Sequence, residues 1–456
     1  MSNITYLYQL DQLKDVIDDI IFDYPQSIFT EEYTLEFVES VLHLMDDYMD
    51  ENPTIISEPD FEDILLEDIR DIIYCQMEEY ILSDEFLEDD IDDLLEEILN
   101  IYVILFQKER TSIQTHDSPT ETNILNENII VNKEDIIKED IIAEKINYLR
   151  NIPQPTQRTP EWYDFRHNLI TASNAYKAFE SQSTINQLIY EKCKPLIVST
   201  EDVDKQKMVN VNTTLHWGQK YEPLSVLIYE YLYDTKVEDF GCIQHSHYKF
   251  LGASPDGINI DKKSKKYGRM LEIKNIVNRE ITGIPKKEYW TQTQLQMEVC
   301  DLDECDFLET KFTEYIDANA FYNDAEIQNE FKGVILYFNT TELKPFYLYK
   351  PLNIVGYDEI NKWEEEMIDF YQNKNMVWIK NIYWKLEKIS CVLILRNREW
   401  FQNNISQLEK VWKIIEEERI TGYEHRAPNK KIKKNNNQQP IENTIVKCFL
   451  KYNSQK

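Results

Sequence analysis

The sequence predicts an α/β (α+β) architecture, a mixed central sheet flanked by helices, preceded by an acidic all-α segment. Three observations predict it. Residues 1–110 hold 32 Asp and Glu against 4 Lys and Arg, and their apolar residues recur every three or four positions. The remaining 346 residues are close to balanced, with 51 acidic and 45 basic groups. From residue 161 onward helical periodicity alternates with short stretches of strand-type alternation.

The acidic segment, 1–108, reads as amphipathic helices over 11–24, 31–50, 61–82 and 89–106; Phe61, Ile64, Leu65, Ile69, Ile72 and Ile73 trace one stripe. A small bundle with a solvated acidic face explains that pattern, and so does a module that docks a protein or mimics DNA. Residues 109–140 form a linker, polar and aperiodic as far as 132, after which helical periodicity resumes. The α/β unit spans 141–425. Helices are expected over 161–170 and 171–180, and another is expected to start near Gln219–Pro223, because proline is tolerated in a helix's first turn. Strands are expected over 235–244 and 248–260, a hairpin tip over 261–268, and a strand over 269–277. A helix over 288–300 and a strand over 304–315 follow, and long helices dominate after about 350. The end, 426–456, reads as a basic polar tail.

Length and composition set the outer bounds. A chain of 456 residues suggests two or three folding units. Its 42% hydrophobic content, with 12% aromatics, is enough for packed cores. The formal charge of -34 argues against nucleic acid as a partner, but that objection falls mainly on the first segment. Seven dispersed cysteines without framework spacing suggest reduced thiols, and the N-terminus lacks a secretory pattern, so an intracellular location is expected. No apolar run approaches about 18 residues, so no membrane span is expected.

The chemistry concentrates in SPDG at 254–257 and LEIK at 271–274. Side chains alternate along a strand, so Glu272 and Lys274 share one face while Leu271 and Ile273 anchor the other. Asp256 ends the preceding strand in a turn made possible by Pro255 and Gly257. If the two strands pair, Asp256 and Glu272 converge into an oxygen-rich site suited to Mg²⁺ or Mn²⁺, with a lysine beside it to orient water. Phosphodiester hydrolysis needs such a set. An E-x-K triplet alone is equally an exposed strand with a surface ion pair.

Four blocks extend the pattern in order: QRTPEWYDFRHNLITAS at 157–173, WGQKYEP at 217–223, FLGASPDGI at 250–258 with LEIK at 271–274, and YWTQTQLQM at 289–297. Together they resemble the lambda-type phage exonuclease and YqaJ-type viral recombinase family, within the PD-(D/E)XK nucleases. A weaker match continues through 398–415. The resemblance implies a restriction-endonuclease-like sheet and one or two Mg²⁺ ions (Mn²⁺ as a substitute). Asp256, Glu272 and the Ile273 carbonyl would hold the principal metal, and Glu222 a second metal or its waters. Lys274 would position the attacking water, supported by Gln292. Arg166 and Ser173 would bind a phosphate, often the 5′-terminal one in this family, with Gln294 a further family glutamine near the DNA. The implied activity is digestion of one strand of duplex DNA from a 5′ end, leaving 3′ single strands for recombination or repair. The implied partners are double-stranded DNA ends and a single-strand annealing protein. Ring-shaped trimers occur among relatives, though no residue pattern here marks a subunit interface.

Bland readings stand beside these. Trp162 and Trp217 fit core packing better than base stacking. Arg166 fits the surface of an amphipathic helix, Gln292 and Gln296 a solvent-facing pair one turn apart, and Glu222 a helix start. The basic tip Lys262, Lys263, Lys265, Lys266 and Arg269 is longer than a compact family member would carry; it suits either DNA backbone or a solvated hairpin. Cys242, His245 and His247 lack the second ligand pair of a zinc site. A structure-specific endonuclease on the same core remains an alternative, as does a catalytically idle DNA-binding or docking protein. The acidic segment could dock a further protein.

Overall fold

The computed structural model describes residues 31–52, 54–81, 87–110, 114–115, 133–157, 159–196, 211, 213–324 and 331–427. The expected helix over 11–24, most of the linker and the tail from 428 lie outside the described residues. Three acidic helices come first: α1 (Glu31–Glu51), α2 (Phe61–Ile81) and α3 (Leu87–Arg110). Their apolar stripes meet in one buried cluster that includes Val41, Met45, Leu65, Ile69, Leu95 and Ile98. Glu39, Asp47, Asp63, Glu67, Asp93 and Glu96 lie on exposed positions, as amphipathic periodicity requires. Within the interval read as linker, β1 (Gln114–Thr115) is a short strand, and α4 (Lys133–Asn151) begins before its end.

The helices α5 (Pro160–His167), α6 (Ala172–Ala175), α7 (Gln182–Cys193) and α8 (Thr214–Tyr233) lead into a mixed sheet. Its strands are β3 (Val237–Glu238), β6 (Gly257–Asn259), β7 (Met270–Ile276), β8 (Glu304–Glu314), β9 (Lys332–Asn339), β10 (Pro345–Tyr349) and β11 (Val377–Leu395). They run in the order β10-β9-β11-β8-β7-β6-β3, with β1 added to β11. A small second sheet joins β2 (Ile170–Thr171), β5 (Leu251–Ala253) and β4 (Ile243–Gln244). In the large sheet β7 and β8 are parallel, joined through the crossover helix α9 (Lys287–Cys300), and the other pairs are antiparallel. Strand alternation divides the core in two. Leu271 and Ile273 pack with Leu224 and Ile228 of α8, whereas Met270 and Phe307 pack with Trp290 and Leu295 of α9. The helices α10 (Ala318–Asn323), α11 (Tyr357–Gln372) and α12 (Arg398–Thr421) complete the chain. No helix among the described residues is long and apolar enough to cross a membrane.

Two elements differ from the sequence reading. The helix expected to start near Gln219–Pro223 starts at Thr214, where the Thr213 hydroxyl accepts the His216 amide at 3.1 Å, so Pro223 lies well inside α8. Proline deletes one helical bond there, but nearby carbonyls take outside donors. The Tyr349 hydroxyl donates to the Lys220 carbonyl at 2.6 Å and the Asn275 amide to the Gly218 carbonyl at 3.2 Å. The second difference is β11, a 19-residue strand in the region where helices were expected to dominate. Its register shifts between Trp378 and Lys380 and again between Leu386 and Lys388, which breaks the alternation that marks a strand in sequence. The basic tip is also partly folded back. Lys266 and Arg269 both pair with Asp306, which is 1% exposed.

Helix α11 is pinned to β11 through a buried carboxyl. Glu364 accepts from the Asn381 amide at 2.7 Å and the Tyr383 hydroxyl at 3.2 Å. Burial outweighs those donors and pushes the carboxyl up to about 7. A carboxyl raised on folding holds its proton more tightly in the native state, so the stability it contributes is present at low pH and declines as pH rises from the ordinary carboxylate range through about 7. The variant Glu364→Gln should therefore gain melting temperature relative to the parent between pH 5 and pH 8. Parallel melting curves for the two proteins across that window would exclude the mechanism.

Candidate active site

The site forms where β7 outruns its neighbour. Strand β6 has three residues and β7 seven, and the last paired position is Gly257 opposite Leu271. The Asp256 amide still donates to the Leu271 carbonyl at 3.1 Å. One step further the Ile273 amide faces the same side but meets no strand; it donates instead to Asp256 Oδ2 at 2.7 Å. A side-chain carboxylate thus replaces the missing strand, and the Ile273 carbonyl points to the same open edge.

Glu272 faces the helix α9 layer and is 2% exposed. Gln292 Nε2 donates to its Oε1 and Gln296 Nε2 to its Oε2, each at 2.7 Å. Lys274 Nζ also donates to Oε1 of Glu272 and reaches Gln292 Oε1 at 3.3 Å, with its ammonium 4.9 Å from the Tyr289 ring centroid. Gln296 further donates to the Ser254 carbonyl at 3.2 Å, which ties α9 to the SPDG turn. Burial works against the Lys274 ammonium, but the Glu272 and Asp256 carboxylates outweigh it and hold its pKa above the ordinary lysine value. Asp256 is pushed well up, first by burial and then by the charges of Glu272 and Glu222.

Glu222 sits on an exposed position of α8, near enough for its charge to act on Asp256. The helix is registered against the strand by Asn275, which accepts from Ser225 at 2.7 Å and Thr310 at 2.8 Å. Arg166, at the end of α5, donates to Ser254 Oγ at 2.9 Å and lies 4.7 Å from the Trp162 ring centroid, so it borders the same turn. Ser173 is exposed in α6, with its hydroxyl 3.2 Å from that of Thr171. Gln294 is not brought to the carboxylates. Residues two apart on a helix point about 200° apart, so Gln292 and Gln294 cannot both face Glu272. Gln294 instead donates to the Leu395 carbonyl at 2.8 Å and accepts the Asn397 amide at 2.7 Å, latching α9 to the start of α12. Gln292 and Gln296, by contrast, are buried rather than solvent-facing.

Three participants go beyond the set expected from the sequence: Gln296, Ser254 and Tyr289. The signal for Gln296 was its spacing, since residues 292 and 296 lie one turn apart. No group of three or more His, Cys, Asp or Glu side chains converges on an ion position among the described residues. Mg²⁺ is commonly held by one or two carboxylates and several waters, and Asp256, Glu272 and the Ile273 carbonyl supply hard oxygens of that kind. At the cysteine-histidine cluster, His245 Nδ1 accepts the His247 and Tyr248 amides at 2.9 and 3.1 Å.

Comparison with known proteins bears on this segment directly. Residues 161–303 match the YqaJ-like viral recombinase domain. Over that segment the chain is similar to this family. An uncharacterised protein of Acanthamoeba polyphaga mimivirus is 29% identical over 306 residues, covering 59% of this chain and 54% of that relative. The chain thus spans about half the length of the curated relative it matches. Among solved structures, an alkaline exonuclease from Laribacter hongkongensis aligns with 18% identity over 59% of this chain and 95% of that one, at a TM-score of 0.32. The same enzyme in complex with dAMP aligns at a TM-score of 0.31, also at 18% identity and with the same coverage. The YqaJ-like segment contains Arg166, Glu222, Asp256, Glu272, Lys274, Gln292 and Gln296, so every polar contact to Glu272 described above is internal to it.

Glu272 Oε1 has two donors, but Oε2 is held by Gln296, so removing Gln296 takes the donor from a buried acceptor. Gln296→Ala should cost about 1–3 kcal/mol of stability. Gln296→Glu should cost more, since it adds a second buried carboxylate. Chemical denaturation at neutral pH checks this, and a variant as stable as the parent would show that the bond contributes nothing.

Proposed function

We propose that this chain is a Mg²⁺-dependent deoxyribonuclease that acts on ends of duplex DNA, degrading the 5′-terminated strand. The observation that carries the reading is the convergence of Asp256, Glu272 and Lys274 at the unpaired edge of β7. The YqaJ-like domain match supports the class of chemistry. The polarity, and 3′ single strands as the product for recombination or repair, rest on the family resemblance. A single-strand annealing protein as partner rests there too.

Each residue then has a task. Asp256, Glu272 and the Ile273 carbonyl would hold the ion, and Glu222 would reach a second ion or its waters. The bound metal would polarise the phosphoryl oxygen and lower the pKa of the attacking water. Lys274 stays protonated next to two carboxylates, so it orients that water and offsets charge on the phosphate. Gln292 and Gln296 keep the Glu272 carboxylate in one orientation, which matters because positioning supplies much of the rate in phosphoryl transfer. Arg166 is suited to grip a phosphate next to the SPDG turn, since a guanidinium recognises phosphate through a planar fork; Ser173 would assist from α6.

The test uses linear duplex DNA labelled separately at the 5′ and 3′ ends, with a closed circle as control. The parent protein with Mg²⁺ should release 5′ label from linear DNA and leave the circle intact. Lys274→Ala should lose about 10²-fold or more in rate, and EDTA should abolish cleavage. Cutting of the circle would replace the exonuclease by an endonuclease on the same core. Absence of cleavage with Mg²⁺ and Mn²⁺ by folded protein would overturn the catalytic reading.

A further inference from the structure

The acidic helical unit meets the YqaJ-like domain through the turn that joins α1 to α2. Ile55 and Ser57 in that turn are buried. The Trp290 indole donates to Ser57 Oγ at 3.4 Å, and the Asn397 amide donates to Glu58 Oε1 at 3.0 Å. Lys287 Nζ lies 3.1 Å from Asp60 Oδ2, but both groups are more than half exposed, so that pair adds little. Trp290 is 4% exposed and packs edge-on against Trp400 of α12 at 5.2 Å. The contact is therefore seated at a seam between the first turn of α9 and the first turn of α12.

The face of α9 that receives this turn is decisive. At about 100° per residue, Trp290, Gln294 and Lys287 fall on one side of the helix, and Tyr289, Gln292 and Gln296 on the other. The acidic unit touches the back of the helix whose front holds Glu272. Its turn also adjoins the Gln294–Asn397 latch, because Asn397 gives its backbone amide to Gln294 and its side-chain amide to Glu58. Glu58 is thus one bond away from the latch and two residues of turn away from Asp60. The helix itself carries both glutamines that orient the buried carboxylate.

We propose that Ser57 and Glu58 are positioning residues: the acidic unit braces α9 from behind and sets the angle at which Gln292 and Gln296 meet Glu272. The unit then acts on the site as a prop. Its contact through this turn is not a plug over the open edge of β7, and a partner that drew the unit away would slow the site rather than release it. The kinetic consequence rests on the nuclease reading above; the mechanical one does not.

The full chain is compared as parent, Glu58→Ala, and Glu58→Gln, which keeps an acceptor oxygen for Asn397. Amide hydrogen exchange over 289–296 and cleavage of end-labelled duplex are both read, the latter across a Mg²⁺ titration. Glu58→Ala should exchange faster in 289–296 while the rest of the sheet stays protected. Its kcat should fall by roughly tenfold at unchanged KM, with more Mg²⁺ needed for half-maximal rate. Glu58→Gln should restore both readouts. Parent-like exchange in Glu58→Ala overturns the proposal, and so does faster exchange spread evenly over the whole domain, which would mark a general loss of stability. If the parent cleaves nothing, the nuclease reading falls and the exchange comparison still decides the brace.

Discussion

A carboxylate with almost no solvent contact must be held by donors on every side, and Glu272 is that carboxylate here. One oxygen takes Gln292 and Lys274, and the other takes Gln296. The strand supplies the acid and the lysine, and the crossover helix supplies both amides. Removing either element would strand a buried charge, which is expensive in a low-dielectric interior. The parallel β7-α9-β8 unit is consequently the part of the fold on which the site depends. The antiparallel strands beyond β8 widen the platform beneath it.

The other half of the site is built by incompleteness. Because β6 begins only at Gly257, the Ile273 amide is left for a side chain, and Asp256 takes it. The same shortfall leaves the Ile273 carbonyl facing an open edge. Around that edge three connections meet: Asn275 registers α8 and hence Glu222, Ser254 receives Arg166, and the Ser254 carbonyl receives Gln296. Residues from α5 and α9 are thereby referenced to one short turn, and α8 to the strand beside it. The acidic unit enters this arrangement from the far side of α9, at the seam with α12. A highly acidic segment beside a site proposed to act on DNA looks contradictory by net charge alone. The contradiction weakens because its contacts with Trp290 and Lys287 fall on the back of the helix, away from Glu272.

Much of the candidate site was legible because it is local. SPDG and LEIK each lie within four residues, and alternation along one strand already separates Glu272 and Lys274 from Leu271 and Ile273. Gln292 was legible through the resemblance. Gln294 was placed near the DNA by the resemblance and Gln296 was read only as solvent-facing, whereas Gln296 faces the acid and Gln294 latches α12. Pro223 misled because a rule for isolated helices was applied to a helix whose carbonyls find Tyr349 and Asn275 across the core. β11 was missed because its two register shifts erase the period that reveals a strand.

By itself the sequence determined the amphipathic acidic helices, the mixed α/β character of the rest and the pairing of two acids with a lysine, since each follows from periodicity or from residues adjacent in the chain. Only the tertiary structure decided that Lys266 and Arg269 turn inward to Asp306, that Gln294 is a latch, and that the acidic unit rests on α9 through Ser57 and Glu58. Those outcomes depend on partners 37 to 339 residues away in the chain. Local propensity carries no information about which distant donor will meet a buried acceptor; that is set when the layers close and each buried polar group must find a partner.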